Sequence, residues 1–368
     1  MPSQKQLDYT HLEKSVSNAQ VVATLKNKAK NNTATFIAYC FVSVAFFVFY
    51  FGMVGIFFVS VNNSSFQENV AFIPVFVVSA CITIAVAFWV RSSVIKQIKM
   101  EAFTQANGIS LLTNVQDPPY TGIIYSHGDT RRINNAYIFP WLNNTEIGNY
   151  SYYTGSGKNR SVHTFGYIKL PLPRTLPHML LDAKSNNFFG TFSNLPNMFS
   201  GDQKLSLEGD FNTYFTLYAP KEYETDALYV FTPDVMQALI ESSKEYDVEI
   251  IDGTMYMYSN NYYDLSSESE LQQLLHIIST LSKEVFEQTD YYADERVGDR
   301  TKNITAYEGR RLKSKRWPLT ISSIFFISYM LFLVLNDGIL EILEIIFIII
   351  IVTILLSLYI SIFKRKNK

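Results

Sequence analysis

The chain has 368 residues, 48% of them hydrophobic and 15% aromatic, but only 17% charged, where a globular domain carries about 25%. That composition excludes a disordered, a collagen-like and a coiled-coil chain. Its two cysteines, Cys40 and Cys81, lie in apolar runs, which excludes a disulfide scaffold and a cysteine-based zinc site.

In chain order, residues 1–34 read as an N-terminal helical segment. Leu7, Leu12, Val16, Val22 and Leu25 give a broken apolar stripe, compatible with lying on a membrane, docking on a domain or fraying. Residues 35–61 then contain no charge. As a helix of about 1.5 Å per residue they would outreach a bilayer core of about 30 Å. Charge-free or nearly charge-free runs recur at 70–90, 319–335 and 339–363. The expectation is two transmembrane hairpins, 35–90 (spans 35–61 and 70–90) and 319–363 (spans 319–335 and 339–363), making four transmembrane helices.

Basic residues flank these runs: Arg91, Lys96 and Lys99 after the second, Arg310, Arg311, Lys313, Lys315 and Arg316 before the third, and Lys364 and Arg365 in the tail. The connections 62–69 and 336–338 hold neither Lys nor Arg. By the positive-inside rule, both termini and the region 91–316 face the cytoplasm of a plasma-membrane protein. The same residues are expected to anchor anionic headgroups, at about 1 kcal/mol for each well-placed Lys or Arg.

The region between the flanks is acidic. Residues 102–309 hold 14 Lys and Arg against 26 Asp and Glu, a net of −12, while the rest holds 17 basic and 7 acidic residues. An acidic surface argues against nucleic acid as a partner, because phosphate binding needs cations. A protein partner on the cytoplasmic side is the expectation instead.

Residues 91–107 read as a helical stalk stopped by Asn107-Gly108, and 108–289 as an α+β domain, β-rich and antiparallel with two main helices. Strand signals cover 122–126, 133–139, 146–154, 161–170, 179–183, 211–218 and 227–231, bounded by Gly, Asn, Asp and Pro. The clearest hairpin turns at Gly155-Ser156-Gly157-Lys158. Pairing Thr154 with Asn159 puts Tyr152 opposite Ser161 and Tyr150 opposite His163, with Tyr153 over Arg160 as a cation–π pair. Thr232-Pro233-Asp234 opens a helix running to about Tyr246. Residues 248–251 and 255–258 form a hairpin over Asp252-Gly253. Residues 267–287 form an amphipathic helix facing inward with Leu271, Leu274, Leu275, Ile278 and Leu281. Residues 290–318 read as a polar linker with a basic end, and 364–368 as a basic tail.

Three sequence stretches carry a resemblance. They are Ala102-Phe103-x-x-Ala106-Asn107-Gly108, Phe192-Ser193-Asn194-Leu195-Pro196, and Leu207-Glu208-Gly209-Asp210-Phe211-x3-Phe215-x-Leu217-Tyr218-Ala219-Pro220 followed by Ala227-Leu228-x-Val230-Phe231-Thr232-Pro233-Asp234-Val235-Met236. Over roughly 90–290 the chain resembles uncharacterised membrane proteins of candidate-phylum bacteria. More distantly it is similar to a bacterial domain of unknown function that follows two N-terminal membrane helices. The resemblance implies a bacterial membrane location and brings no catalytic residue, cofactor or metal ligand.

Motifs for chemistry are weak. Gly155-Ser156-Gly157-Lys158 lacks the preceding glycine and the following Ser or Thr of a phosphate loop, and strands flank it on both sides. His11, His127, His163, His178 and His276 show no metal-ligand spacing. His163 reads as a core histidine, His127 as a turn residue, and Glu208 and Asp210 as solvated edge residues. No serine sits in Gly-x-Ser-x-Gly. Glu341 and Glu344 lie one helical turn apart in the fourth run, at headgroup level or in an ion or proton role. The leading expectation is a membrane protein presenting an acidic domain for binding or scaffolding. A membrane-tethered enzyme with a dispersed site, and a small transporter or channel subunit using Glu341 and Glu344, stand as alternatives.

Overall fold

A computed structural model describes residues 6–31, 50–52, 54–55, 72–187, 193–196, 199–314 and 328. Residues 1–313 and 314–368 form two separate units. In the first, nine strands make one sheet: β1 (Ser110–Gln116), β2 (Asp129–Phe139), β3 (Thr145–Thr154), β4 (Ser161–Pro171), β5 (Met179–Ala183), β6 (Lys204–Leu205), β7 (Phe215–Tyr218), β8 (Asp247–Ile251) and β9 (Thr254–Ser259). Their order is β1-β2-β3-β4-β9-β8-β5-β7-β6, and every neighbouring pair is antiparallel.

Strand alternation sorts the side chains onto two faces. Ile147, Ile168, Leu170, Met257, Val248, Leu181 and Leu217 share one core with the helices Pro233–Ser243 and Glu268–Thr289. Pro233 stands at the first helical turn, where its missing N–H costs nothing. Ser267 Oγ accepts the Glu270 N–H and caps the longer helix. That helix buries Leu271, Leu274, Ile278, Leu281 and Val285, each contributing about 1.5–3 kcal/mol. The opposite face carries Tyr150, Tyr152, Phe165, Tyr167, Tyr256 and Tyr258, covered by Ile123, Ile124 and Tyr125. Both faces are therefore buried.

The sequence reading of this region needs several revisions. Residues 122–126 hold a 3-10 turn, Ile123–Ser126, and not a strand. Residues 227–231 belong mostly to a helix, Glu224–Val230. The segment 211–218 splits into a helical turn, Phe211–Tyr214, and then β7. The hairpin register differs as well: Thr154 pairs with Ser161, so Tyr152 faces His163 and Tyr150 faces Phe165. A 3-10 turn at Gly157–Asn159 absorbs the two extra residues. The faces are unchanged because a two-residue shift preserves strand parity, and Arg160 Cζ lies 4.2 Å from the Tyr153 ring centre.

The four transmembrane helices and the multi-pass architecture are not found. Among the described residues no helix is long and apolar enough to cross a membrane. The run 339–363, nearly all of 319–335 and of 35–61, and the anchors Lys315, Arg316, Lys364 and Arg365 lie outside the described residues, as do Glu341 and Glu344. The described part of the second run and the stalk form one continuous helix, Phe72–Asn107. The first half of that helix exposes Val77, Val78, Ile82, Ile84, Val86, Phe88 and Trp89, whereas Val94, Met100 and Phe103 are buried in the second half. Absence of charge alone does not define a span.

The three basic residues on this helix engage the chain itself. Arg91 Nη2 donates to Asn18 Oδ1 at 3.1 Å, Lys96 pairs with Asp264 at 2.7 Å, and Lys99 Nζ donates to the Leu12 carbonyl at 2.6 Å. The N-terminal segment docks here too. The Asn107 amide exchanges hydrogen bonds with the backbone of Asp8, at 2.8 and 2.9 Å.

Residues 294–313 are likewise fastened to the sheet unit. Asp294 Oδ2 accepts from Tyr223 and from the Ala306 N–H, both at 2.8 Å. Arg296 Cζ lies 3.8 Å from the Tyr223 ring centre. Gln203 bonds both the N–H and the carbonyl of Lys313 at 2.8 Å.

Gly166 in β4 shows how tightly the sheet meets the 259–265 segment. A Cβ there would lie 2.5 Å from the Asn261 carbonyl and 2.7 Å from the Tyr263 ring. The Gly166→Ala variant is expected to lose about 1–3 kcal/mol of stability. Chemical denaturation would read this as a lower midpoint at unchanged slope.

Candidate functional site

Two clusters of buried acids lie on the tyrosine face, and they differ in what remains free. Glu146 accepts from Tyr120 at 2.6 Å and from Tyr167, with Lys169 at 3.7 Å. Glu249 accepts from Tyr258 at 2.6 Å, the Ile123 N–H at 2.7 Å and His178 Nε2 at 2.8 Å. His178 Nδ1 accepts the Leu312 N–H at 3.0 Å. That donor fixes the tautomer: Nδ1 is unprotonated, and Nε2–H points to Glu249. Each carboxylate is therefore occupied by several donors of its own protein. Burial beside Glu249 holds Tyr258, and burial beside Glu146 holds Tyr167, well above the usual phenol range. These are closed structural networks.

The second cluster reaches a cavity. Asp182 and Asp247 are buried on the same face. Asp247 Oδ1 accepts the Ala183 N–H at 2.8 Å, and its Oδ2 accepts Asn194 Nδ2 at 2.9 Å and Asn186 Nδ2 at 3.4 Å. Ser193 Oγ donates to Asp182 at 3.0 Å. Burial pushes the Asp247 carboxyl up to about 7, with the Asp182 charge adding and the amide donors opposing. Burial raises Asp182 as well. Asn194 Nδ2 also donates to Asn260 Oδ1 at 2.9 Å, and both Asn186 and Asn260 line an open groove of about 510 Å³.

Four segments meet at that groove. Ser185 and Asn186 follow β5, Glu245 and Tyr246 precede β8, Ser259 to Asn261 end β9, and Ser267, Ser269, Glu270 and Gln273 come from the start of the long helix. Tyr263 closes the wall. Its backbone is fixed by Asn149, whose amide donates to the Tyr263 carbonyl at 2.9 Å and accepts its N–H at 2.8 Å. The lining is mostly hydroxyl, amide and carboxylate. It can bind a polar or cationic group by hydrogen bonds and charge. Its hydroxyls have no histidine base among the lining residues, and among the described residues no three His, Cys, Asp or Glu side chains gather to hold a metal ion.

The structure disperses the sequence-derived candidates. His163 is half-buried, stacks on Tyr152 with ring centres 4.8 Å apart and bonds Thr154 at 2.8 Å. Glu208 and Asp210 are exposed at a turn. Arg311 forms a two-pronged pair with Asp252 at 2.8 Å, and Arg310 Nε donates to the Thr305 carbonyl at 2.9 Å. Asp182, Asp247 and Glu249 were not singled out, His178 only as a histidine without metal-ligand spacing, and Asn194 only within a stretch that carries the resemblance. The signal of the three acids is their alternation with aliphatics in β5 and β8, and it reads as a solvent face until the second cover is known.

No protein-family profile matches the chain, and no curated protein matches it. Among solved structures, the crystal structure of the mycobacterial trehalose monomycolate transport factor A, TtfA, is similar at a TM-score of 0.35 and 7% identity, over 50% of this chain and 91% of that one. At that level the likeness carries no argument about fold or function.

Proposed function

We propose that the protein is a binding module: its acidic sheet domain takes a cationic segment of a protein partner in the groove between Glu245 and Glu270, while basic flanking sequence holds it at an anionic membrane surface. The observation that supports this is the groove itself. It is open, polar and carboxylate-bearing, and it lies in a region of net charge −12. A summed negative potential of this kind raises the local concentration of cations and speeds their encounter. Residues 310–316 carry five basic side chains in seven; Arg311 is paired with Asp252, and the other four supply the opposite sign for the membrane.

The test is a titration of the full-length protein with a lysine-rich peptide and with a neutral Gly/Ser peptide of equal length. Only the lysine peptide is expected to bind, more weakly as salt rises. The Glu245→Gln/Glu270→Gln double variant is expected to weaken it roughly five- to tenfold, as two partly exposed charge pairs allow. Equal binding of the double variant would remove the groove from the proposal.

A further inference from the structure

A second cavity, about 400 Å³ and sharing no lining residue with the groove, opens beside the Asp252-Gly253 turn. Leu176 and Ile304 give it an apolar wall, with Thr175, Thr305, Arg310 and Arg311 around them. The charges are unevenly used. Asp252, the acid in the wall, is taken up by Arg311. Arg310 spends only Nε, on the Thr305 carbonyl, and its two terminal nitrogens have no partner among the described residues. Thr305 is 3% exposed, and its hydroxyl also has no partner among the described residues. A buried hydroxyl left so is destabilising.

Both unused groups are donors, and the acid beside them is already neutralised. Such donors suit an anion with several acceptor oxygens. A guanidinium held through Nε presents its remaining two N–H₂ groups as a fork, the geometry that matches phosphate. The apolar wall beside the fork suits an ester substituent better than a bare ion. Arg311 is also only eight residues from the apolar run at 319, at most about 29 Å of extended chain. We infer that Arg310 and Thr305 form a binding site for a phosphate ester, supplied either by a phospholipid headgroup or by a soluble phosphoester. The lipid source rests on the membrane attachment proposed above; the site does not.

The full-length protein in neutral detergent is titrated with inorganic phosphate and with mixed micelles carrying phosphatidylglycerol or, as control, phosphatidylcholine. Arg310→Gln is expected to weaken phosphate and phosphatidylglycerol binding at least tenfold. Lys313→Gln, an equal loss of charge outside the cavity, should change phosphate binding less than twofold. Thr305→Val should weaken binding severalfold yet raise the melting temperature of the ligand-free protein, because it removes the unpaired hydroxyl. Binding to phosphatidylglycerol micelles much tighter than to phosphate identifies the headgroup. Phosphate binding without any preference for those micelles keeps the site, assigns it to a soluble ester and sinks the membrane attachment. Equal effects of Arg310→Gln and Lys313→Gln, or no phosphate and no phosphatidylglycerol binding above the control, would overturn the site.

Discussion

Replacing Glu249 with alanine is expected to lower the unfolding free energy by about 3–5 kcal/mol, a large share of the roughly 5–15 kcal/mol typical of a domain. Three buried donors converge on this carboxylate: Nε2–H of His178, the Tyr258 hydroxyl and the Ile123 N–H. Alanine leaves all three without an acceptor and opens a void in a layer that excludes water, so replacement of the lost bonds by solvent is poor. The damage also spreads along the chain. His178 takes the Leu312 N–H on its other nitrogen, so an imidazole freed from Glu249 loosens the 309–313 segment. Glu249→Gln retains one acceptor oxygen and is expected to cost about 1–3 kcal/mol. Denaturant midpoints at fixed pH check both values, and limited proteolysis near 309–313 checks the spread. A Glu249→Ala protein within 1 kcal/mol of the parent would show that the network contributes little.

Glu249 also shows what the sequence could and could not reveal. The hairpins over 146–170 and 248–258 and the helices starting at Pro233 and Glu268 were readable, because each pairs a strong period with a turn or cap residue. Strands are harder where the period is short. Residues 227–231 carry β-prone side chains, yet Glu224 and Asp226 favour the positive end of a helix dipole, and packing against the long helix settles them as helical. β1 was missed because its alternation is poor: its residues are half-buried or exposed at an edge of the sheet. The acids of the tyrosine face were missed for a different reason. Alternation tells that Asp247 and Glu249 share a face, but it cannot tell whether water or another layer covers that face. The groove joins segments near residues 185, 245, 260 and 270, and no local motif announces such a meeting.

The Asp247→Asn variant is expected to be more stable than the parent at high pH and to lose that advantage at low pH. Burial raises Asp247 from 3.8 to about 7. Between about pH 4 and 7 the folded protein therefore holds a proton that the unfolded chain has released, and folding stability falls as pH rises through that window. Three pH units correspond to a penalty on the order of 4 kcal/mol above pH 7. An asparagine cannot ionise, and it can use Asn194 Oδ1, which is buried without a partner among the described residues. At pH 8 the variant is expected to melt higher than the parent, by about 2–4 °C for each kcal/mol relieved. At pH 4, where the parent is neutral at this site, the advantage should vanish. Carboxylates held below their ordinary range, such as Asp264 and Asp294, titrate with the opposite slope, so the informative quantity is the difference between the two melting curves at each pH. The same group should couple to the groove, because Asn186 and Asn194 link Asp247 to its wall. A cationic ligand favours the ionised form and lowers the Asp247 pKa on binding. Affinity for the lysine peptide should then rise as pH passes through 7 in the parent and stay flat in Asp247→Asn. Parallel affinity profiles would mean that the buried acid and the groove are energetically separate, leaving Asp247 a structural group like Glu249.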